Sequence, residues 1–292
     1  FKRAQQCTPI NAGSGLIRMN LMARNHAKRP GSRPPAPGGQ RPQGVNFPRP
    51  EREKEGGPVW LWGTHAVLAA LANPDRQFLQ FLATENAAER LPKGRLTPQI
   101  ITGKELDQRL PPGAVHQGIA IKAEPLEPLA LEDLIAEGAT RIAVLDQVSD
   151  PHNLGAIFRS AAAFGFSGLV LQTRNAPPIT GVVAKSAAGA VETVSEVRTV
   201  NIARALEQLA EAGFHTVGLA GESTRPLDLA VKGAAKIAIV LGAEGPGLRP
   251  AVARACAELA RIPIAADMES LNVSNAAAIA FYEASRGGFP AA

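Results

Sequence analysis

Past Val59 the apolar residues of the chain fall into two recurring patterns. One is a short, nearly unbroken apolar run, found at 78–83, 118–122, 142–148, 168–171, 216–220, 237–242 and 260–264. Such runs predict strands, and strands covered on both faces of a parallel sheet lose the usual alternation. The other pattern spaces apolar residues three and four apart, over 64–71, 102–110, 154–164, 202–212, 251–257 and 273–285, and predicts helices. Asn73-Pro74 and Pro111-Pro112 act as stops. From residue 130 onward strands and helices alternate, the mark of an α/β chain with a mostly parallel sheet and helices on both faces. Ligands of such sheets bind beyond the carboxyl ends of the strands.

The pattern divides the chain into four parts: residues 1–57, a small α/β unit at 58–123, a linker at 124–130, and a larger α/β domain at 131–292. Residues 1–57 hold eight Pro and eight Gly, too few apolar groups to offset chain entropy, so they are expected to be disordered. Charge sharpens the division. Residues 1–50 carry nine Lys or Arg and no Asp or Glu, whereas 58–292 carry 20 basic and 23 acidic residues. A basic arm on a near-neutral body suits a nucleic-acid partner, because Lys and Arg neutralise phosphates and release counterions. A solvated tail, or an extension upstream of a start at Met19 or Met22, stays open as the alternative.

Some classes are excluded. The longest uncharged run, 56–74, contains Gly-Gly-Pro and Asn-Pro and falls short of the ~20 residues a membrane span needs. Two cysteines, Cys7 and Cys256, cannot make a disulfide framework or a cysteine-rich zinc site, so a reducing, cytoplasmic setting is expected; the sequence offers no other metal cluster, and no metal is expected. The sequence Gly242-x-x-Gly245-x-Gly247 has the wrong spacing for a dinucleotide fingerprint, which argues against an oxidoreductase.

Three segments follow predicted strands and concentrate the candidate chemistry. In the first, Asn153 stands at an expected helix start, where it suits a cap. Arg159, six residues later in an Ala/Ile/Phe-rich helix, is expected to need a partner because its neighbours read as buried. The second, Leu241-Gly-Ala-Glu-Gly-Pro-Gly-Leu, surrounds Glu244 with glycines that let a ligand approach the backbone, though a plain strand-to-helix loop would look similar. In the third, Ser270, Asn272, Ser274 and Asn275 crowd a helix start, more polar groups than capping requires. The helix after it begins Ala276-Ala-Ala-Ile-Ala, small enough for close packing against a partner.

Taken together, 153–165, 241–248 and 262–276 resemble the three motifs of the SpoU (TrmH) family of RNA 2′-O-ribose methyltransferases, with Ser270-Leu-Asn-Val-Ser274 the most specific string. The preceding unit, from Gly63-Thr-His-Ala-Val to His116-Gln-Gly-Ile-Ala, resembles the L30e-like substrate-binding domain of the branch that acts on 23S rRNA guanosine. The resemblance implies a SPOUT-type α/β trefoil-knot domain, S-adenosylmethionine as cofactor, RNA as partner and a homodimer. Carried over residue by residue, it implies that Gly242, Gly245, Ile262, Leu271 and Asn272 hold the cofactor. It makes Asn153, Arg159, Glu244, Ser270 and Asn272 the catalytic set. Arginine stays protonated in proteins, so Arg159 is better suited to stabilise a 2′-alkoxide than to act as a base. A tRNA ribose methyltransferase and a non-catalytic RNA-binding protein of the same fold remain as alternatives.

Overall fold

The computed structural model describes residues 56–92 and 96–286, so all but the last two residues of the expected arm lie outside it. The first elements are β1 (Val59–Trp62), α1 (Thr64–Ala72), β2 (Phe78–Ala83), α2 (Glu85–Ala88), β3 (Gln99–Ile100), α3 (Gly103–Arg109) and β4 (Ile119–Ala123). They build a four-stranded sheet of order β1-β4-β2-β3, in which β4 runs antiparallel to β1 and β2 while β3 is parallel to β2. Thr102 and Glu105 start α3 with a reciprocal capping box.

The next elements are α4 (Leu131–Ala136), β5 (Arg141–Leu145), α5 (Pro151–Ala163), β6 (Gly168–Gln172), α6 (Gly181–Ala187), a short 3₁₀ turn (Ala190–Glu192), β7 (Ser195–Thr199), α7 (Ile202–Glu211) and β8 (His215–Leu219). After them come α8 (Leu227–Ala230), β9 (Ile237–Leu241), α9 (Pro250–Ala255), β10 (Glu258–Ala260) and α10 (Val273–Ser285). Six of these strands form a sheet of order β10-β8-β9-β5-β6-β7, parallel at every pairing. Alternate residues of its central strands face opposite layers. Ala143, Leu145, Ile239 and Leu241 pack with α5 and α10, while Ile142, Val144, Ala238 and Val240 pack with α4 and α7. Both faces are covered, and that is why β9 is buried along its whole length and carries no polar residue.

The two sheets share core. Val59, Leu61, Val67, Phe81 and Ile121 of the first belong to the same buried cluster as α5, α6 and α10. Gly181 opens α6 against Trp62, whose ring carbon would lie 2.0 Å from a Cβ built there. Arg76 and Glu192 form an ion pair at 2.9 Å across this contact, each side chain 2% exposed. The expected linker is pinned at both ends: Glu124 donates its N–H to Gln77 O, and Leu129 donates its N–H to Glu196 O in β7.

Several expectations shift. Of the run 260–264 only Ala260 lies in a strand, the end of β10; Arg261 adds a single bridge to Pro226, and Pro263 has no N–H to give a ladder. The run 142–148 stops at Leu145, where Asp146 turns inward to Arg249 and Gln147 adopts φ 62°. Strand β7, helices α4 and α6 and the short elements α2, β3 and α8 carried no pattern that singled them out. Among the described residues no helix is long and apolar enough to cross a membrane.

Candidate active site

The site is built where β5 and β9, adjacent at the sheet centre, end. Helix α5 starts earlier than expected: Asp150 is the cap, its Oδ1 accepting the His152 N–H at 2.8 Å, and Pro151 is the first helical residue. Asn153 is therefore not a cap. It sits at the third helical position, 9% exposed, with its amide free to reach outward from the helix. Its Nδ2 donates to Glu244 Oε1 at 2.9 Å.

Asn272 caps α10. Its Oδ1 accepts the N–H groups of Ser274 at 3.0 Å and Asn275 at 3.4 Å, and the Ser274 hydroxyl at 2.6 Å. Its Nδ2 turns the other way and donates to Asn153 Oδ1 at 3.1 Å and Glu244 Oε1 at 2.7 Å. An amide is needed here, since a carboxylate would have no proton to give. Residues from three distant stretches thus close a triangle, with the Glu244 carboxylate facing the positive ends of α5 and α10.

Glu244 is exposed on a tight loop in which Gly247 N–H returns to Ala243 O at 3.1 Å. Gly245 (φ 84°) and Gly247 (φ 68°) take left-handed conformations that suit only glycine well. A Cβ on Gly242 would lie 2.2 Å from the Gly247 carbonyl carbon, so backbone packs on backbone there. The loop is clamped from below by Asp146, which is fully buried. Its Oδ2 accepts the Arg249 N–H at 3.0 Å, its Oδ1 accepts Arg249 Nε at 2.8 Å, and its own N–H donates to Leu241 O at 2.8 Å. Sequence reasoning missed this pair; a carboxylate directly after an apolar strand was the available signal. Burial, with Asp146 nearby, pushes the Cys256 thiol up to about 12.

The remaining predicted residues are arranged differently. Ile262 and Leu271 are half-buried, and among the described residues their backbone groups make no hydrogen bond within the chain. Ser270 is exposed and outside the triangle. Arg159 is exposed too, and its side chain has no hydrogen bond or ion pair among the described residues, contrary to the expectation that it needs one. Helix α5 buries Asn153, Leu154, Gly155, Ile157, Phe158 and Ala161, which leaves a solvent-facing stripe carrying His152 and, two turns on, Arg159. The small residues of α10 also differ in role: Ala277 and Ala280 face the chain's own core, while the larger apolar Ile279 and Tyr282 are exposed. Among the described residues no three His, Cys, Asp or Glu side chains gather as metal ligands.

Fold and site together define an α/β protein with a polar centre beyond the carboxyl ends of its two middle parallel strands. The model of the SpoU rRNA methylase family matches residues 140–282, and that of the RNA 2′-O ribose methyltransferase substrate-binding region matches 60–129. The 23S rRNA (guanosine-2′-O-)-methyltransferase RlmB of Vibrio vulnificus is 37% identical over 243 residues, covering 78% of this chain and 96% of its own. The SpoU methyltransferase AviRb from Streptomyces viridochromogenes, solved with AdoMet, superposes with a TM-score of 0.65 at 23% identity over 79% of this chain and 90% of that one. The AdoMet-bound rRNA methyltransferase from Sinorhizobium meliloti gives 0.66 at 24%, over 80% and 88%. The chain belongs to the SpoU rRNA methylase family.

Proposed function

We propose that this chain transfers a methyl group from S-adenosylmethionine to the 2′-hydroxyl of a guanosine ribose in 23S rRNA. The observation that carries this reading is the Asn153–Glu244–Asn272 triangle, together with the free backbone groups of Ile262 and of Leu271, the residue before Asn272. The Vibrio vulnificus relative supports the substrate, and the two AdoMet complexes support the cofactor.

The residues fit that cofactor. Gly245, with open space where a Cβ would stand, leaves backbone bare for close approach, and Gly242 lets the Gly247 backbone fold against it and so shapes the loop. Ile262 and Leu271 offer unpaired N–H and C=O groups to a nucleoside edge, and Asn272 follows Leu271 directly in the chain. When bound, S-adenosylmethionine supplies an electrophilic methyl group. The chain's own task is to align the ribose hydroxyl with it and to stabilise the charge left as the proton departs. Asn153 and Asn272 both donate to Glu244 Oε1, which leaves Oε2 to receive a ribose hydroxyl. Ser270 adds an exposed hydroxyl beside Asn272. Arg159, exposed and unpaired, supplies positive charge to the 2′-oxygen and its neighbouring phosphate.

Three structural features complete the reading. The C-terminal part is a deep trefoil knot; in support, Arg261 pairs with Arg225 and Leu227 at the sheet edge before the chain crosses back to Asn153 at the centre. The first sheet is an L30e-like unit that selects RNA. Two copies pair in the cytoplasm, and Ile279 at 39% and Tyr282 at 51% exposure give α10 an apolar face for contact. The test is incubation of the purified chain with labelled S-adenosylmethionine and unmodified 23S rRNA or tRNA, followed by nucleoside analysis. The reading expects 2′-O-methylguanosine in rRNA. Label in tRNA alone, or in neither, contradicts it.

A further inference from the structure

Two short strings that the triangle does not use, Gly63-Thr64-His65 and His116-Gln117-Gly118, meet at one end of the first sheet, and α6 lies against them. Gln117 makes the junction: its Oε1 accepts the Thr64 N–H at 3.0 Å and Lys185 Nζ at 3.1 Å. Its φ of 56° puts a non-glycine residue in the left-handed region, a conformation its surroundings must hold in place. His116 does so, with Nδ1 accepting the Gly118 N–H at 2.9 Å and Nε2 at 3.0 Å from Asp107 Oδ1. Gly63 makes room, since a Cβ there would lie 2.1 Å from the Lys185 ammonium.

The ammonium is left electrically uncompensated. Its hydrogen-bond partner is the neutral Gln117 amide, and among the described residues it joins no ion pair. It has three protons to donate, and partial burial moves its pKa below the usual lysine range. The helix that carries it packs against α5, which bears Asn153. Ser186 Oγ is 3.4 Å from His152 Nδ1, and a Cβ on Gly155 would lie 2.4 Å from Ser186 Cβ. Helix α6 therefore touches α5 within two residues of Asn153.

We propose that Lys185, presented by Gln117 at the seam between the two sheets, binds a backbone phosphate of the RNA strand whose ribose enters the Asn153–Glu244–Asn272 triangle. This rests on the RNA methyltransferase reading and adds a phosphate subsite to which both sheets contribute. A loop of the first sheet then fixes the cation that registers RNA against the chemistry of the second.

The test compares the full chain with Lys185→Gln and Lys185→Arg. Binding of a 23S rRNA fragment is measured across a series of KCl concentrations, and S-adenosylmethionine binding by calorimetry. Loss of one phosphate contact lowers the slope of log affinity against log salt by about 0.7 to 0.9. Lys185→Gln is expected to show that fall and a higher KM for RNA, with kcat and cofactor affinity unchanged, while Lys185→Arg keeps the wild-type slope. Equal slopes for wild type and Lys185→Gln overturn the proposal. If Lys185→Gln does not fold, acetylation of wild-type lysines read by peptide mass spectrometry decides. Protection of Lys185 by the RNA fragment supports the subsite, and equal labelling with and without RNA overturns it. Failure of the functional reading is seen separately, as wild-type chain that neither binds nor methylates rRNA.

Discussion

Replacing Glu192 with Ala removes one half of the ion pair that ties the two sheets together. Glu192 accepts from Arg76 Nε at 2.9 and 3.1 Å, from Arg76 Nη2 at 2.9 Å and from Asn73 Nδ2 at 2.8 Å. Arg76 has one further bond, from Nη1 to Glu124 O at 2.7 Å, so the variant strands a guanidinium that is only 2% exposed. Removing one partner of a buried pair typically costs about 3–5 kcal/mol, because the survivor stays dehydrated without its counter-charge. At roughly 2–4 °C per kcal/mol for a chain of this size, the melting temperature should fall by about 6–20 °C. Urea unfolding followed by circular dichroism measures the cost directly. A double-mutant cycle with Arg76→Met and Glu192→Leu isolates the pairing, and the double variant should be more stable than Glu192→Ala alone. A loss below about 1 kcal/mol for Glu192→Ala, or additive effects in the cycle, would show that the seam is held by apolar contact and that this reasoning is wrong. The same pair bears on dissection. A fragment from residue 128 onward strands Glu192 and uncovers Gly181 and Gly189, so it should be less stable than the whole chain while still binding S-adenosylmethionine.

Arg159→Ala should lower methyl transfer by ~10²–10³ while leaving cofactor affinity intact, as expected for lost charge stabilisation; turnover above about half of wild type would remove Arg159 from the mechanism. Deleting residues 1–57, with their 11 basic and three acidic residues, should leave the chemistry but give a shallower salt dependence of RNA binding, whereas an unchanged slope would make the arm a passive tail. Cys256 should resist alkylation at pH 8 in the native chain and react readily in urea, because burial holds the thiol protonated until about 12; rapid native labelling of the Cys256 peptide would contradict this. A pKa raised on folding stabilises the native state below the ordinary thiol range, and that contribution disappears as pH climbs towards 12.

Elements with strong local signals were legible in the sequence. Helix α10 runs over Val273–Ser285 as its periodicity predicts, and β2 over Phe78–Ala83. Strand β7 was not legible, because Ser-Glu-Val-Arg-Thr at the sheet edge buries little but Val197. Helix α6 was missed for a related reason: it opens on a glycine whose purpose, room for Trp62, comes from another part of the chain. The strand order β10-β8-β9-β5-β6-β7 depends on long-range pairing that no local pattern encodes. At the site, residue types point to Asn153, Glu244 and Asn272, but Asn153 resembles a cap while the true helix start is Asp150-Pro151. Arg159 was expected to be paired because its apolar neighbours hid the narrow solvent-facing stripe of α5. The Asp146–Arg249 clamp escaped notice because its two residues lie 103 positions apart.

Methylation of a guanosine ribose of 23S rRNA by this chain is tested most directly by nucleotide-resolution mapping of 2′-O-methylation in rRNA and tRNA from cells lacking the gene. One guanosine in 23S rRNA is expected to lose its ribose methyl group and to regain it when the wild-type chain is restored. An unchanged rRNA map, or a methyl group missing from tRNA alone, would contradict it.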